Sequence, residues 1–322
     1  MLISNGRERA PAVYGKIRVW TAGQQLPRML PGPVGANRRL LAAYIERPLI
    51  PQNFAADECL DSWSGRSLHD WTTFYQGGTR LVEYLNHTGC NGLMLGVLAD
   101  GSTIYPSALL QPTPRYDTGA FFATAQDPVR KDVLEMLLRL FDREDLQLIP
   151  MVEFAAPLPA LEALRRGGDA SADGIEWIGA DGSALCNSVP AQRGLAPYYN
   201  VLDPRVQEAM LDVLRELISR YAQHPSLTGV AVRLSADGYA QLPGPDWGLD
   251  DATIARFERD TKLQVPGYGP QRFAQRAVFL AQEAPRRVWM EWRAAQLAKF
   301  YRRAYNELAA IRPGSSAAIR AS

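Results

Sequence analysis

Leu202-Asp203-Pro204-Arg205-Val206, running on to Tyr221, and then Thr228-Gly229-Val230-Ala231-Val232-Arg233-Leu234-Ser235 carry the architecture of this chain in miniature. Asp203 has the side chain of a helix cap, and Pro204 suits the first helical position, where a missing N–H costs nothing. Val206, Met210, Val213, Leu214, Leu217, Ile218 and Tyr221 follow at helical spacing. The run from Thr228 to Ser235 is short, β-branched and nearly all apolar, as a parallel strand covered on both faces must be. A helix feeding a buried strand is half of a βαβ unit.

The same theme recurs outward from this stretch. Further strand-like runs cover Leu40 to Ile45, Gly92 to Leu98 and Leu146 to Phe154, and an incomplete one begins at Ala317 and reaches Ser322. Between them lie helical patterns, one opened by Asp127-Pro128 and another striped by Met290, Ala294, Leu297, Tyr301, Ala304, Leu308 and Ile311. Each stripe is expected to lie against a sheet. Repetition of strand and crossover helix builds either an open doubly wound sheet or a closed eight-unit barrel. The open form normally shows a Gly-rich first turn for a phosphate. Here Gly77-Gly78 reads as preceding a helix without a flanking strand, and Gly267-Tyr268-Gly269 precedes proline. The reading is therefore an α/β protein with a parallel (β/α) TIM-type barrel.

That barrel is expected to be incomplete, with four full strands and the start of a fifth out of the eight required. Residues 38–322 are read as its N-terminal part, completed by other domains of a longer parent chain. Upstream, Val13, Ile17 and Val19 alternate with Lys16 and Arg18, the period of a half-solvated strand. Residues 1–25 are read as a remnant strand of an upstream β domain. Residues 26–37, with Leu30-Pro31-Gly32-Pro33, are read as a linker. An unfinished barrel exposes strand edges, so the isolated chain is expected to self-associate or melt early.

Composition removes several classes of function. With 47% hydrophobic and 21% charged residues, the chain has the balance of a globular protein. A formal charge of +1 gives no field that would draw nucleic acid or an anionic membrane. No apolar run reaches the ~20 residues of a membrane span, and Met1 to Arg9 lacks the hydrophobic core of a signal peptide. Cys59, Cys90 and Cys186 stand far apart without metal-ligand spacing, and His87 with Cys90 alone makes no metal site. No cofactor or metal is expected, and no G-x-S-x-G elbow follows a strand.

Four stretches resemble a known family. They are Asp70-Trp71-Thr72-Thr73-Phe74-Tyr75-Gln76-Gly77-Gly78-Thr79-Arg80-Leu81, then Asp100-Gly101-Ser102-Thr103-Ile104-Tyr105-Pro106-Ser107, then Pro112-Thr113-Pro114-Arg115-Tyr116-Asp117, and Leu202 to Val206 leading into Gly229 to Tyr239. Together they look like the glycosyl-hydrolase-like family 10, TIM-barrel proteins known mainly from bacterial sequences. The resemblance implies a barrel related to retaining glycosidases and a carbohydrate substrate. In such barrels the acid/base is usually a glutamate of an Asn-Glu pair after strand four, and the nucleophile a glutamate after strand seven. This sequence departs from that pattern: the strand-four exit reads Ser235-Ala236-Asp237, and a seventh strand is not in the chain.

Barrel sites form at the C-terminal ends of strands, so acids at those exits are the candidates. Glycoside cleavage needs two carboxyl groups about 5–10 Å apart. Asp237 and Glu153 are read as the catalytic pair. Glu153 sits between Val152 and Phe154, where an acid must find a partner or stay protonated. Glu46, Asp100, Tyr199, Asn200, Arg233, Tyr239 and Trp247 are read as substrate-binding, the aromatic rings offering an apolar surface to a sugar's C–H face. Several have a plainer competitor: a surface ion pair for Glu46, a turn for Asp100-Gly101-Ser102, loop packing for Tyr239 and Trp247. Arg233 is expected to balance an acid inside the barrel. The function expected is a glycosidase-type action on a carbohydrate, without activity in this stretch alone, and the alternative is a non-catalytic module binding sugar or a partner domain.

Overall fold

The computed structural model describes residues 39–54, 71–111, 115–116, 120–121, 125–126, 131–167, 173–188, 199–235 and 237–311. The chain divides into two compact units, Met1–Arg38 and Arg39–Ser322, and every described residue belongs to the second. The strand expected within residues 12–20, the linker, the Asp127-Pro128 cap and the run from Ala317 lie outside the described residues.

The order of elements follows the strand-and-helix rhythm of the sequence. β1 (Ala42–Ile45) leads through α1 (Ile50–Phe54) and α2 (Trp71–Thr88) to β2 (Gly92–Ala99), from which β3 (Ser102–Thr103) turns back antiparallel. β4 (Ala120–Phe121) and β5 (Ala125–Gln126) pair with each other, and α3 (Val133–Arg143) leads to β6 (Gln147–Glu153). α4 (Pro159–Arg166), α5 (Leu185–Ser188) and α6 (Pro204–Tyr221) precede β7 (Ala231–Arg233). α7 (Asp251–Thr261), α8 (Arg272–Leu280) and α9 (Glu283–Ile311) follow it. Asp203 caps α6 by accepting from the Arg205 N–H at 2.9 Å, and Pro204 opens the helix. α3 is capped by Asp132, which accepts from Glu135 N–H at 3.0 Å.

β1, β2, β6 and β7 lie side by side in that order, all parallel. Each strand is added beyond the last without the reversal that defines a doubly wound sheet, which is the winding of a barrel. Among the described residues the sheet is open, with β1 and β7 at its edges. Alternation along the strands sorts the side chains into two faces. Leu93, Leu95, Val97, Leu148, Val152, Val230 and Val232 join the main core with the buried faces of α2, α3 and α6. Met94, Ile149, Met151 and Ala231 cluster on the opposite face, and by the same alternation Glu46, Glu153 and Arg233 fall on that face too. β7 is shorter than the expected Thr228–Ser235, because the ladder lapses after a single bridge between Leu148 and Leu227 and resumes only at Ala231.

Two sequence expectations are corrected. Gly77 and Gly78 lie inside α2 rather than before a helix. A Cβ on Gly77 would meet Ile50 at 3.1 Å and one on Gly78 would meet Leu140 at 2.8 Å, so the pair lets α2 pack closely on α1 and α3. The first half of α9 buries Trp289, Trp292 and Arg293, while Met290 and Ala294 are exposed. There the helix packs its tryptophans edge-on against Phe257 of α7, at 5.1 and 5.4 Å, instead of facing the sheet. Only the second half, through Phe300, Tyr301, Ala304 and Leu308, approaches Val232 of β7 and the adjoining Val230.

Candidate functional site

Gly96 in β2 governs what happens at the carboxyl ends of the strands. A Cβ there would lie 2.1 Å from the carbonyl oxygen of Glu46, so only glycine lets the chain leaving β1 press against β2. That approach places Glu46 and Arg47 at the rim. Arg47 Nε donates to Asp100 at 2.6 Å, and its Nη1 lies 3.4 Å from Glu46. Glu46 in turn meets Arg233 Nη2 at 2.8 Å, and Arg233 Nη1 donates to Glu153 at 3.0 Å. The charges alternate across the rim from β2 through β1 to β7 and β6. In a flat sheet the first and fourth strands would stand about 14 Å apart with their side chains parallel. The Glu46–Arg233 contact is met by two long side chains reaching over the face that carries these groups, helped by the chain leaving β1 toward β2 at Gly96.

Glu153 is buried, and its side chain is 4% exposed against 36% for Glu46. Because the two nitrogens of one planar guanidinium each hold one of these carboxylates, the bonded oxygens lie at most about 8 Å apart, within the range of glycosidase carboxyl pairs. Asp100, at the end of β2, has φ of 49°. Burial works to raise its carboxyl, but hydrogen bonds from Arg47 and Tyr116, with the charges of Arg47 and Arg115, outweigh that and set it at about 2.

A cleft of about 360 Å³ opens where β2 and β6 end, and Glu153 lines it together with Leu98, Gly101, Leu158, Glu162 and Tyr239. The Tyr239 ring is buried, its hydroxyl donates to Ala156 O at 2.9 Å, and Tyr199 packs edge-on against it at 4.9 Å. The buried Tyr199 hydroxyl donates to Glu162 and accepts from Leu158 N–H at 3.3 Å. Arg165 Nη1 donates to both oxygens of Glu162, at 2.8 and 3.1 Å. Burial alone would raise the Glu162 carboxyl, yet the bonds from Tyr199 and Arg165 and the charges of Arg165 and Arg166 hold it below the usual range.

The cleft and the rim residues Asp100, Glu153 and Arg233 lie on the stretch of chain that a family model describes, whereas Glu46 and Arg47 precede it. The model for glycosyl hydrolase-like 10 matches residues 67–321. The chain belongs to the glycosyl hydrolase-like 10 family. No curated protein matched it. Among solved structures it is similar to the β-galactosidase of the psychrophilic Marinomonas ef1, with a TM-score of 0.48 and 12% identity over 78% of this chain and 35% of that one. A cold-adapted β-galactosidase from a Rahnella species gives a TM-score of 0.47 and 15% identity over 76% and 33%. The chain thus spans about a third of the length of these two enzymes.

In this glycosyl hydrolase-like 10 chain the residues singled out from the sequence separate into groups. Glu46, Glu153 and Arg233 come together at the rim, with Asp100 joined to them through Arg47. Asp237 is half-buried in the turn after β7, where Gly238 N–H bonds Ser235 O and Tyr239 N–H bonds Phe154 O; among the described residues it makes no ion pair. Tyr199 and Tyr239 meet beside the cleft. Asn200 is fully buried behind Tyr199, its amide donating to Gly174 O and Thr253 Oγ1 and its oxygen accepting from Leu202 N–H. Trp247 packs on the backbone of Gly179, and neither Trp247 nor Asp237 is among the cleft-lining residues. Glu162 was not singled out, although its position three residues after Pro159, just beyond a strand end, was visible in the sequence. Among the described residues no metal-binding group of side chains occurs, and no helix is long and apolar enough to cross a membrane.

Proposed function

We propose that this chain forms part of a carbohydrate-acting barrel of the glycosidase type, with Glu153 and Asp237 as the acid groups that meet the scissile linkage. Glu46, Asp100 and Arg233 shape the rim, and the rings of Tyr199 and Tyr239 stiffen the cleft wall that a sugar would lie against. The observation that carries this reading is the position of Glu153: a buried carboxylate at the end of an inward-facing strand, paired to Arg233 and opening onto a cleft. The test is calorimetric titration and a hydrolysis assay of the full natural chain on a panel of β-linked oligosaccharides, comparing wild type with Glu153→Gln and Asp237→Asn. Loss of turnover in both variants, with folding retained, is expected. Equal turnover by all three proteins would remove these residues from the chemistry.

A second reading is favoured by one observation. Arg233 holds Glu153 and Glu46 at once, which suits a site that binds a sugar without protonating its leaving oxygen. Binding on the same panel with no hydrolysis by the full natural chain is the outcome that supports it.

A further inference from the structure

The cleft holds a second carboxylate, on a different element from the rim acids. Glu162 lies in the first turn of α4 and shares the cleft wall with Glu153, which ends β6. A sphere of the cleft's volume is about 9 Å across, the span over which paired carboxylates act on one sugar ring.

Two groups, Tyr199 and Arg165, hold the Glu162 side chain. The Leu158 N–H donates to the Tyr199 oxygen, so the tyrosine's own proton is directed at Glu162 Oε1. Tyr199 is wholly buried and its ring is clamped against Tyr239, which itself lines the cleft. Arg165 donates from Nη1 to both carboxylate oxygens and from Nη2 to Glu176 at 3.1 Å. A carboxylate offers about four lone-pair positions, and these partners occupy three, mostly on Oε1. Acceptor capacity remains on Oε2, on a side chain that lines an open cleft and whose rotamer is already set. Such preorganisation lowers the ordering cost of binding a hydroxyl or ammonium donor.

Resting on the carbohydrate reading above, we propose that Glu162 is a ligand-contacting, specificity-determining residue of the cleft, accepting hydrogen bonds from a polyhydroxylated ligand, and that Tyr199 is the residue that positions it. Tyr199 acts through Glu162 and does not itself touch the ligand.

The experiment uses the full chain and two small probes, 1-deoxynojirimycin as a cationic polyol and glucose as a neutral one, with affinities read by ligand-observed NMR. A charge-assisted bond is worth about twice a neutral one, so Glu162→Gln should weaken the iminosugar about tenfold while changing glucose by less than about threefold. Tyr199→Phe keeps the ring and removes the proton, and should give an intermediate loss of the same preference with the melting temperature recorded alongside. If Glu162→Gln and Tyr199→Phe lower the melting temperature but leave the ratio of the two affinities within twofold of wild type, Glu162 only anchors α4 and the proposal is overturned. Retained binding of the oligosaccharide panel would then leave the wider carbohydrate reading standing. If wild type binds neither probes nor oligosaccharides, both fall together.

Discussion

Replacing Arg233 with methionine tests how far the rim depends on a single side chain. Methionine keeps an apolar stem and removes the charge. The two arms of Arg233 differ in environment, so their contributions can be estimated separately. On one side the guanidinium is 16% exposed and Glu153 only 4%, at 3.0 Å. Losing the cation leaves a carboxylate stranded beside Met151 and Ala231, and breaking such a buried pair costs about 3–5 kcal/mol. On the other side Glu46 is 36% exposed and can turn to water or to Arg47, so that arm adds less than about 1 kcal/mol. For a domain of this size each kcal/mol moves Tm by about 2–4 °C, which gives a drop of about 6–20 °C. Urea unfolding followed by far-UV circular dichroism measures the loss directly. A double variant sharpens the test: Glu153→Leu combined with Arg233→Met replaces the pair by apolar groups and should regain most of the stability. A loss below about 1 kcal/mol for Arg233→Met, or no recovery in the double variant, would refute the dependence of Glu153 on Arg233.

Three further perturbations probe the same framework. The folded Asp100 carboxyl lies at about 2, below an unfolded value near 3.9, so its stabilising contribution is complete above about pH 4 and fades as pH falls toward 2. Allowing for solvent screening this amounts to about 1–2 kcal/mol, and Asp100→Asn should flatten the acid limb of a stability–pH profile between about pH 5 and 2; an unaltered limb counts against the network. Gly96→Ala puts a methyl group against the Glu46 carbonyl, a backbone obstacle that cannot rotate away, and should cost about 1–3 kcal/mol by urea unfolding. A neutral effect there would mean that β1 does not hug β2. Asp203→Ala removes the α6 cap and a 1% exposed carboxylate paired with Arg205 and Arg256, so it should cost about 2–4 kcal/mol by urea unfolding. A loss no larger than the about 1 kcal/mol of a cap alone would show that the pairs with Arg205 and Arg256 add nothing.

Local signals in the sequence reached the four strands of the parallel sheet and the α6 and α9 helices, because each is written in a short window. The Asp203-Pro204 cap, the α6 stripe and the apolar runs of β2 and β6 need no knowledge of the rest of the chain. The same windows misplace α9, whose first half meets α7 instead of the sheet, and they misread Gly77-Gly78, whose smallness serves neighbours on α1 and α3 that lie far off in sequence. The site divides along the same line. Alternation alone puts Glu153 and Arg233 on one face, since they are register partners on adjacent strands. It cannot bring Glu46 to Arg233 across three strand intervals, because that depends on how the chain leaves β1 over β2 and on the reach of two long side chains. Nor can it join Glu162 to Tyr199, which stand 37 positions apart on separate elements. One residue does carry the long-range information locally: Gly96, the absence of whose side chain sets how closely β1 leaves along β2, and hence where Glu46 points. A glycine inside an otherwise apolar strand signals a close approach of another backbone, and here the backbone that approaches belongs to the rim acid itself.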